Sequence, residues 1–292
     1  MAKPNINEIV TDRIIAAMER GVVPWKKPWV GGSGPTSLTT GKAYRGINSL
    51  ILHVVQVADE YELPLWGTYK QAKALGGSVR KGAKGTPVVL WKPIDKENDD
   101  GSIDSFMMMR YFTVFNVGQM DDVEIPDKYL IQRDPVPVLD GVTAALNYAG
   151  GPSVRHLTQD QAFYTPKDDT ITLPTLEQFT SPEAYAATAL HEVIHSTGHE
   201  DRLHRIDPNA PFGCNTYAQE ELVAEIGAAM LASNLNITVE WDQTAAYVSA
   251  WLSKLQDDRK LLVRAAQQAQ KAVDHTNLVD TAGAQDEQEV AA

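Results

Sequence analysis

The sequence predicts an α+β fold in two domains, and three observations carry that prediction. A length of 292 residues suffices for two cores of ordinary size. Charge is divided along the chain: from Arg20 to Lys92 eleven basic residues face three acidic ones, whereas past residue 130 ten basic face 23 acidic, so the halves differ in electrostatic character within a net charge of -12. Strand and turn signals mark part of the first half, while helical periodicity dominates the second. These place an α+β domain over 1–125, a Pro-containing linker over 126–137, a mostly helical domain with a small antiparallel sheet over 138–278, and a disordered acidic tail over 279–292.

Composition narrows the function classes. With 43% hydrophobic and 22% charged residues the chain reads as a soluble globular protein. The N-terminus lacks an apolar h-region and no long uncharged apolar run follows, so no membrane partner is expected and the cytoplasm is the expected compartment. A single cysteine, Cys214, excludes a disulfide framework and a cysteine-rich zinc ribbon.

In the first half, Ile6, Ile9, Val10, Ile14, Ala17 and Met18 recur at helical spacing up to Gly21. Two prolines hold Trp25-Lys26-Lys27-Pro28-Trp29 extended. Tyr44-Arg45-Gly46-Ile47-Asn48 opens an apolar helix to about Glu60, and Trp66 to Lys73 leads into a short helix that Gly76-Gly77 should end. The loop Val79 to Gly85 then opens a strand from Thr86 to Lys92, and Phe106 to Val117 returns beside it as a hairpin.

Basic and aromatic residues interleave here as a groove for single-stranded DNA requires: cations follow the phosphates, and rings stack on bases without choosing among them. The candidates are Trp25, Lys26, Lys27, Trp29, Tyr44, Arg45, Asn48, Trp66, Lys70, Lys73, Arg80, Lys81 and Lys84. No helix-turn-helix or zinc-finger pattern accompanies them, so binding without strong sequence preference is expected.

In the second half, a helix is expected from Leu139 to Tyr148, followed by a hairpin of Ala162 to Tyr164 with Thr170 to Leu173. A further helix is capped by Ser181, with Pro182 and Glu183 suited to its first turn and Gly198 to its stop. It carries His191-Glu192-Val193-Ile194-His195. Two histidines four residues apart share a helix face and can bind one cation, and Glu192 stands one step round, placed as the proton acceptor for a water at the metal. The next helix holds Glu220, Glu221 and Glu225, and one long helix is expected from Tyr247 to about Ala272.

A site of this type needs a third protein ligand. Glu221 and Glu225 share a helix face, so one reads as the ligand and the other as acceptor for a histidine N–H, while Glu220 fits a solvated face. The rival is Asp201, because His191-Glu192-x-x-His195-x-x-Gly198-x-x-Asp201 satisfies a metzincin-like spacing.

Six ordered motifs carry a resemblance: Tyr44 to Asn48, Trp66 to Gln71, Gly76 to Gly82, Phe112 to Asn116, His191 to His199 with Arg202-Leu203, and Glu220 to Glu225. Over roughly Asn5 to Ala272 the chain resembles the ArdC antirestriction proteins. The resemblance implies an N-terminal single-stranded-DNA-binding domain joined to a zincin-like metallopeptidase domain, in a protein that protects plasmid DNA entering a new host from restriction. It also implies a third ligand from the Glu-Glu-x-x-Ala-Glu helix, Glu221 or Glu225 rather than Asp201; with Glu221 taken as that ligand, Zn2+, or a similar ion such as Mn2+, would be held by His191, His195 and Glu221, with Glu192 as base. Tyr217 and His199 are candidates to steady an oxyanion, and a host protein is the candidate peptidase substrate.

Overall fold

A computed structural model of the chain describes residues 6–21, 23, 34–97, 103–126, 129, 136–207, 215–240 and 245–278. Trp25, Lys26, Lys27, Trp29, Cys214 and the expected tail lie outside them, as does the side chain of Tyr217. The architecture is α+β in two compact units, Pro35–Ile131, and Met1–Gly34 together with Gln132–Asp280.

The first helix, α1 (Ile6–Glu19), packs on a helix near the far end of the chain, so it goes with the second half and not with the rest of 1–125. Its buried stripe of Val10, Ile14, Ala17 and Met18 is the apolar periodicity seen in the sequence. Periodicity fixes which face is covered but not by what.

The Pro35–Ile131 unit contains β1 (Thr36–Ser37), α2 (Gly46–Ala58), β2 (Leu65–Gly67), α3 (Tyr69–Ala74), β3 (Ser78–Val79), β4 (Thr86–Glu97), β5 (Ile103–Asn116) and β6 (Met120–Asp121). One sheet has the order β1-β2-β5-β4, with β1 and β2 parallel and the other pairs antiparallel; β3 and β6 form a separate antiparallel pair. Alternation along β5 sends Phe112 and Val114 into a core with Leu52 of α2, and Phe115 to the opposite face against Ala72 of α3. Helix α3 starts with a capping box between Thr68 and Gln71. It ends at Gly76, with φ of +83°, where Gly77 N–H bonds the carbonyl of Ala72, so the expected glycine stop is observed.

The other unit adds α4 (Val138–Leu146), β7 (Ser153–Leu157), β8 (Phe163–Thr165), β9 (Thr170–Pro174), α5 (Pro182–Ser196), α6 (Asn215–Asn234), α7 (Ala245–Asp257) and α8 (Leu261–His275). Its sheet runs β7-β9-β8. Only the β8–β9 hairpin is antiparallel; β7 lies parallel to β9 on its other side, so the small sheet is mixed. Helix α5 lies against this sheet, α4 and α6, and α6 lies against α8.

The long helix expected from Tyr247 to Ala272 is two helices. Between them Asp258 accepts from the amide of Lys260 at 2.9 Å and pairs with Arg264 of the second helix. Helix α1 contacts the chain at the break. Thr11 donates to the carbonyl of Arg259 at 2.8 Å, and Asp12 pairs with Arg259. Among the described residues no helix is long and apolar enough to cross a membrane.

Candidate metal centre and nucleic-acid surface

The second unit positions one cluster of ligand-type side chains. Ser181 caps α5, accepting from the amide of Ala184 at 3.0 Å, with Pro182 in the first turn. The helix is buried along Ala186, Ala189, Leu190, Val193 and Ile194. That leaves the face carrying His191 and His195 towards α6. The two helices approach closely because α6 places Gly227 against Ile194: a Cβ there would stand 2.8 Å from Ile194 Cγ2. This approach brings Glu221 opposite the histidines.

The resulting geometry is compact. Nε2 of His191 and Nε2 of His195 are 3.0 Å apart, and each lies 3.5 Å from an oxygen of Glu221. Ligand atoms at about 2.0–2.1 Å around a tetrahedral cation are roughly 3.3 Å from one another. The trio matches that spacing, and its ligand atoms all lie within 4.8 Å of one another. Two imidazole nitrogens facing a carboxylate are also the donor set that a zinc-like ion takes. Among the described residues it is the one cluster of three or more such side chains.

The field at the trio favours positive charge. Burial pulls the pKa of His191 down, but Glu221, Glu192 and Glu225 together push it up to about 9. Glu192 is buried on the same turn as His191. Glu225 is half-buried and lies outside the trio, its charge acting on His191 from nearby. Asp201 stands apart: its side chain is 84% exposed and its carboxylate sits 3.6 Å from Nδ1 of His199.

Glu220 departs from its expected solvated role. Its side chain is only 13% exposed, and it accepts from Nδ1–H of His195 at 3.3 Å, the bond assigned in the sequence to Glu221 or Glu225. A histidine whose Nδ1 proton is so engaged presents the lone pair of Nε2 to the trio. Arg205 holds Glu220 in turn through Nε to Oε2 at 3.1 Å and Nη2 to Oε1 at 2.9 Å. Burial would raise the Glu220 pKa, but His195 and Arg205 keep it below the usual carboxylate range.

Two arginines also finish α5. Arg205 donates to the carbonyl of Ile194 at 2.9 Å, and Arg202 to that of Ser196 at 2.7 Å, so cations cover carbonyls at the negative end of the helix. Arg202 continues to Asp169 and the hydroxyl of Tyr164, tying α5 to the β8–β9 hairpin. Arg205 was not identifiable in the sequence. The one available signal was an arginine closely following a helix end, and many surface arginines satisfy that.

In the Pro35–Ile131 unit the candidate DNA contacts separate. Lys70, Lys73, Arg80, Lys81 and Lys84 are exposed, the last three around a turn where Ala83 N–H bonds the Arg80 carbonyl and Gly82 takes φ of +85°. Arg80 lies 3.7 Å from Asp121. Trp66 is 0% exposed and Tyr44 is buried with it in the core, so neither ring offers a stacking face. Trp66 is covered because β2 lies between β1 and β5 and its ring packs edge-on to Tyr61. Asn48 bonds both the amide and the carbonyl of Val89 at 2.7 Å, supplying partners along the free edge of β4. Arg45 is half-exposed at the start of α2. Among the described residues the exposed rings are instead Tyr69, 50% exposed with the Lys73 ammonium 5.7 Å from its centre, and Tyr111, 49% exposed beside exposed Arg110.

Comparison with known proteins decides the family. Residues 4–115 match the N-terminal domain of the anti-restriction factor ArdC, and residues 143–268 match a zincin-like metallopeptidase domain. The metal-free crystal structure of the antirestriction ArdC protein from plasmid R388 superposes with a TM-score of 0.77 at 39% identity, covering 94% of this chain and 97% of that one. The chain belongs to the ArdC antirestriction family. The Mn(II)-bound structure of R388 ArdC superposes almost equally, with a TM-score of 0.76 at 38% identity. An uncharacterized Sinorhizobium fredii protein, y4eC, is 36% identical over 92% of this chain and 91% of its own length. The DNA primase TraC of Escherichia coli is 39% identical over 93% of this chain, which spans only about a quarter of that primase's length, 27%.

Proposed function

We propose that this ArdC-family chain binds single-stranded DNA through its Pro35–Ile131 unit, without strong sequence preference, and shields incoming plasmid DNA from host restriction during conjugation. Its other unit carries a zinc-dependent peptidase-type centre. The observation that carries the second half is the meeting of His191, His195 and Glu221 with buried Glu192 alongside. A divalent ion bound there supplies Lewis-acid chemistry, acidifying a water and polarising a carbonyl. Zn2+ suits the donor set, and R388 ArdC has a Mn(II)-bound form, so either ion is a candidate.

The chain's own residues do the rest. Glu192 takes the proton of the attacking water on its carboxylate and returns it to the leaving amine. Glu220 and Arg205 keep the imidazole of His195 turned so that Nε2 faces His191 and Glu221, where it would hold an ion. DNA binding draws support from the exposed cations at Lys70, Lys73, Arg80, Lys81 and Lys84, from the exposed rings of Tyr69 and Tyr111, and from the likeness to a DNA primase. The N-terminal match to an anti-restriction factor gives the binding its purpose.

A second reading makes cleavage of a host defence protein the main task, with DNA serving for recruitment. Burial of Glu192 beside the trio favours it, because a structural ion site does not require that carboxylate. Conjugative transfer into a restricting host separates the two. Under the first reading Glu192→Ala keeps protection while Lys81→Ala/Lys84→Ala lowers it; loss of protection in Glu192→Ala establishes the second reading instead.

A further inference from the structure

Alternation along β5 divides its side chains between two faces of the sheet. Phe112 and Val114 take the face on which Leu52 of α2 packs. Tyr111, Thr113 and Phe115 take the other. There Phe115 is covered by the core that contains Ala72 of α3, but Thr113 is exposed and Tyr111 is 49% exposed. The outer face of the β4–β5 ribbon is therefore open at Tyr111.

The surroundings of this ring suit a base. Tyr111 stands within a continuous ladder, and Val89, directly across from it on β4, is buried and bonded by Asn48 at both its amide and its carbonyl. The ring is thus carried on a backbone held in place before any ligand arrives, which limits the ordering cost of binding. Its neighbours on the same face are Val89 and Pro87 of β4 and Thr113 of β5, so none of the described side chains on this face of the two strands is acidic. Positive charge lies at one end. The exposed residues Arg80, Lys81 and Lys84 lead into β4 at Thr86, three residues or about 10 Å before Val89. Tyr69, the other exposed ring, already carries the Lys73 ammonium over its face.

We infer that one base of the bound single strand stacks on the ring of Tyr111, on the sheet face turned away from α2, and that the phosphates beyond it run past Pro87 towards Lys84 and Lys81. The inference rests on the DNA-binding reading above and deepens it by naming the ring. A ring offers the same contact to every base, in keeping with binding that lacks strong sequence preference.

The test uses the full-length chain and two labelled twelve-residue strands, oligo-dT and the same backbone with abasic spacers, followed by fluorescence anisotropy. Wild type is expected to bind oligo-dT about tenfold more tightly than the abasic strand. Tyr111→Thr removes the ring but keeps a residue that favours strands. It should weaken oligo-dT binding at least about fivefold, leave the abasic strand unaffected and leave the salt dependence unchanged, since no charge is lost. Tyr111→Phe keeps the ring and should bind as wild type does. Equal binding of both strands by wild type, oligo-dT binding indifferent to Tyr111→Thr, equal losses on both strands, or a Tyr111→Phe variant as weak as Tyr111→Thr each overturn the stacking assignment while leaving DNA binding intact. Failure of wild type to bind either strand instead sinks the DNA-binding reading, and this inference with it.

Discussion

Arg205 grips Glu220 at both carboxylate oxygens, at 3.1 and 2.9 Å, while the same carboxylate accepts from Nδ1–H of His195. The two charged side chains are 7% and 13% exposed, so this is a buried pair whose second duty is to aim a histidine. Buried pairs are costly to break because the partner left behind keeps its charge out of water. Arg205→Ala should therefore cost about 3–5 kcal/mol in denaturant unfolding. Glu220→Gln keeps the volume and part of the hydrogen bonding, and should lower affinity for a divalent ion by about 10- to 100-fold in calorimetric titration. Full metal affinity in Glu220→Gln would show that His195 needs no such support.

Close approach of α5 and α6 depends on Gly227. A Cβ there meets a fully buried, β-branched Ile194 that has nowhere to move. Gly227→Val should destabilise the chain by about 1–3 kcal/mol and carry Glu221 away from the histidines, weakening metal binding in the same variant. Thermal unfolding with and without added Zn2+ reads both effects. A variant whose melting temperature still rises with Zn2+ as wild type's does would mean that helix spacing does not set the site.

Acid should act on the scaffold through Asp169. Burial works to raise its pKa, but hydrogen bonds from Arg202 and Tyr164 outweigh it and hold the group below its usual 3.8. A carboxylate depressed in the folded state stabilises the fold at every pH above its unfolded value, and that contribution disappears as pH falls through the folded value. Asp169→Asn should thus be less stable than wild type at neutral pH, with the difference shrinking below about pH 4. Urea unfolding at pH 7 and pH 3 measures this, and a constant difference between the two would contradict it.

The cations of the Pro35–Ile131 unit can be told from its buried residues by salt. Each exposed lysine that neutralises a phosphate adds roughly 0.7 of a unit to the salt-dependence slope of single-strand binding, so Lys81→Ala/Lys84→Ala should bind more weakly and more flatly than wild type. Trp66→Ala should instead unfold the unit, at a cost of about 3–5 kcal/mol, since that ring is core. Binding titrations at 50 and 200 mM salt decide between the roles.

What the sequence revealed was local. Ser181, Pro182 and the His191–His195 spacing specify a capped helix with two imidazoles on one face, and the glycines after α3 specify its stop; each is a relation within a turn or two of chain. What it hid was set by packing between distant segments. Glu221 and Glu225 share one face on a helical wheel and Glu220 falls beside it, and only the packing of α6 on α5 shows Glu221 completing the trio, Glu220 bonding His195 and Glu225 lying outside. Trp66 and Asn48 carry side chains that suit nucleic acid equally well, and only the neighbouring strands show one buried and the other bonded to Val89. The Asp258 break was invisible for a related reason: apolar periodicity continues through it, and docking of α1 accompanies the turn.

At the centre of the account stands the proposal that His191, His195 and Glu221, whose ligand atoms lie within 4.8 Å of one another, hold one cation. Calorimetric titration of the metal-stripped chain with Zn2+ tests it most directly, comparing wild type with Glu221→Gln and Asp201→Ala. The account predicts one ion per chain for wild type and for Asp201→Ala, and at least a hundredfold loss of affinity for Glu221→Gln. Undiminished binding by Glu221→Gln, with the loss appearing in Asp201→Ala, would contradict it.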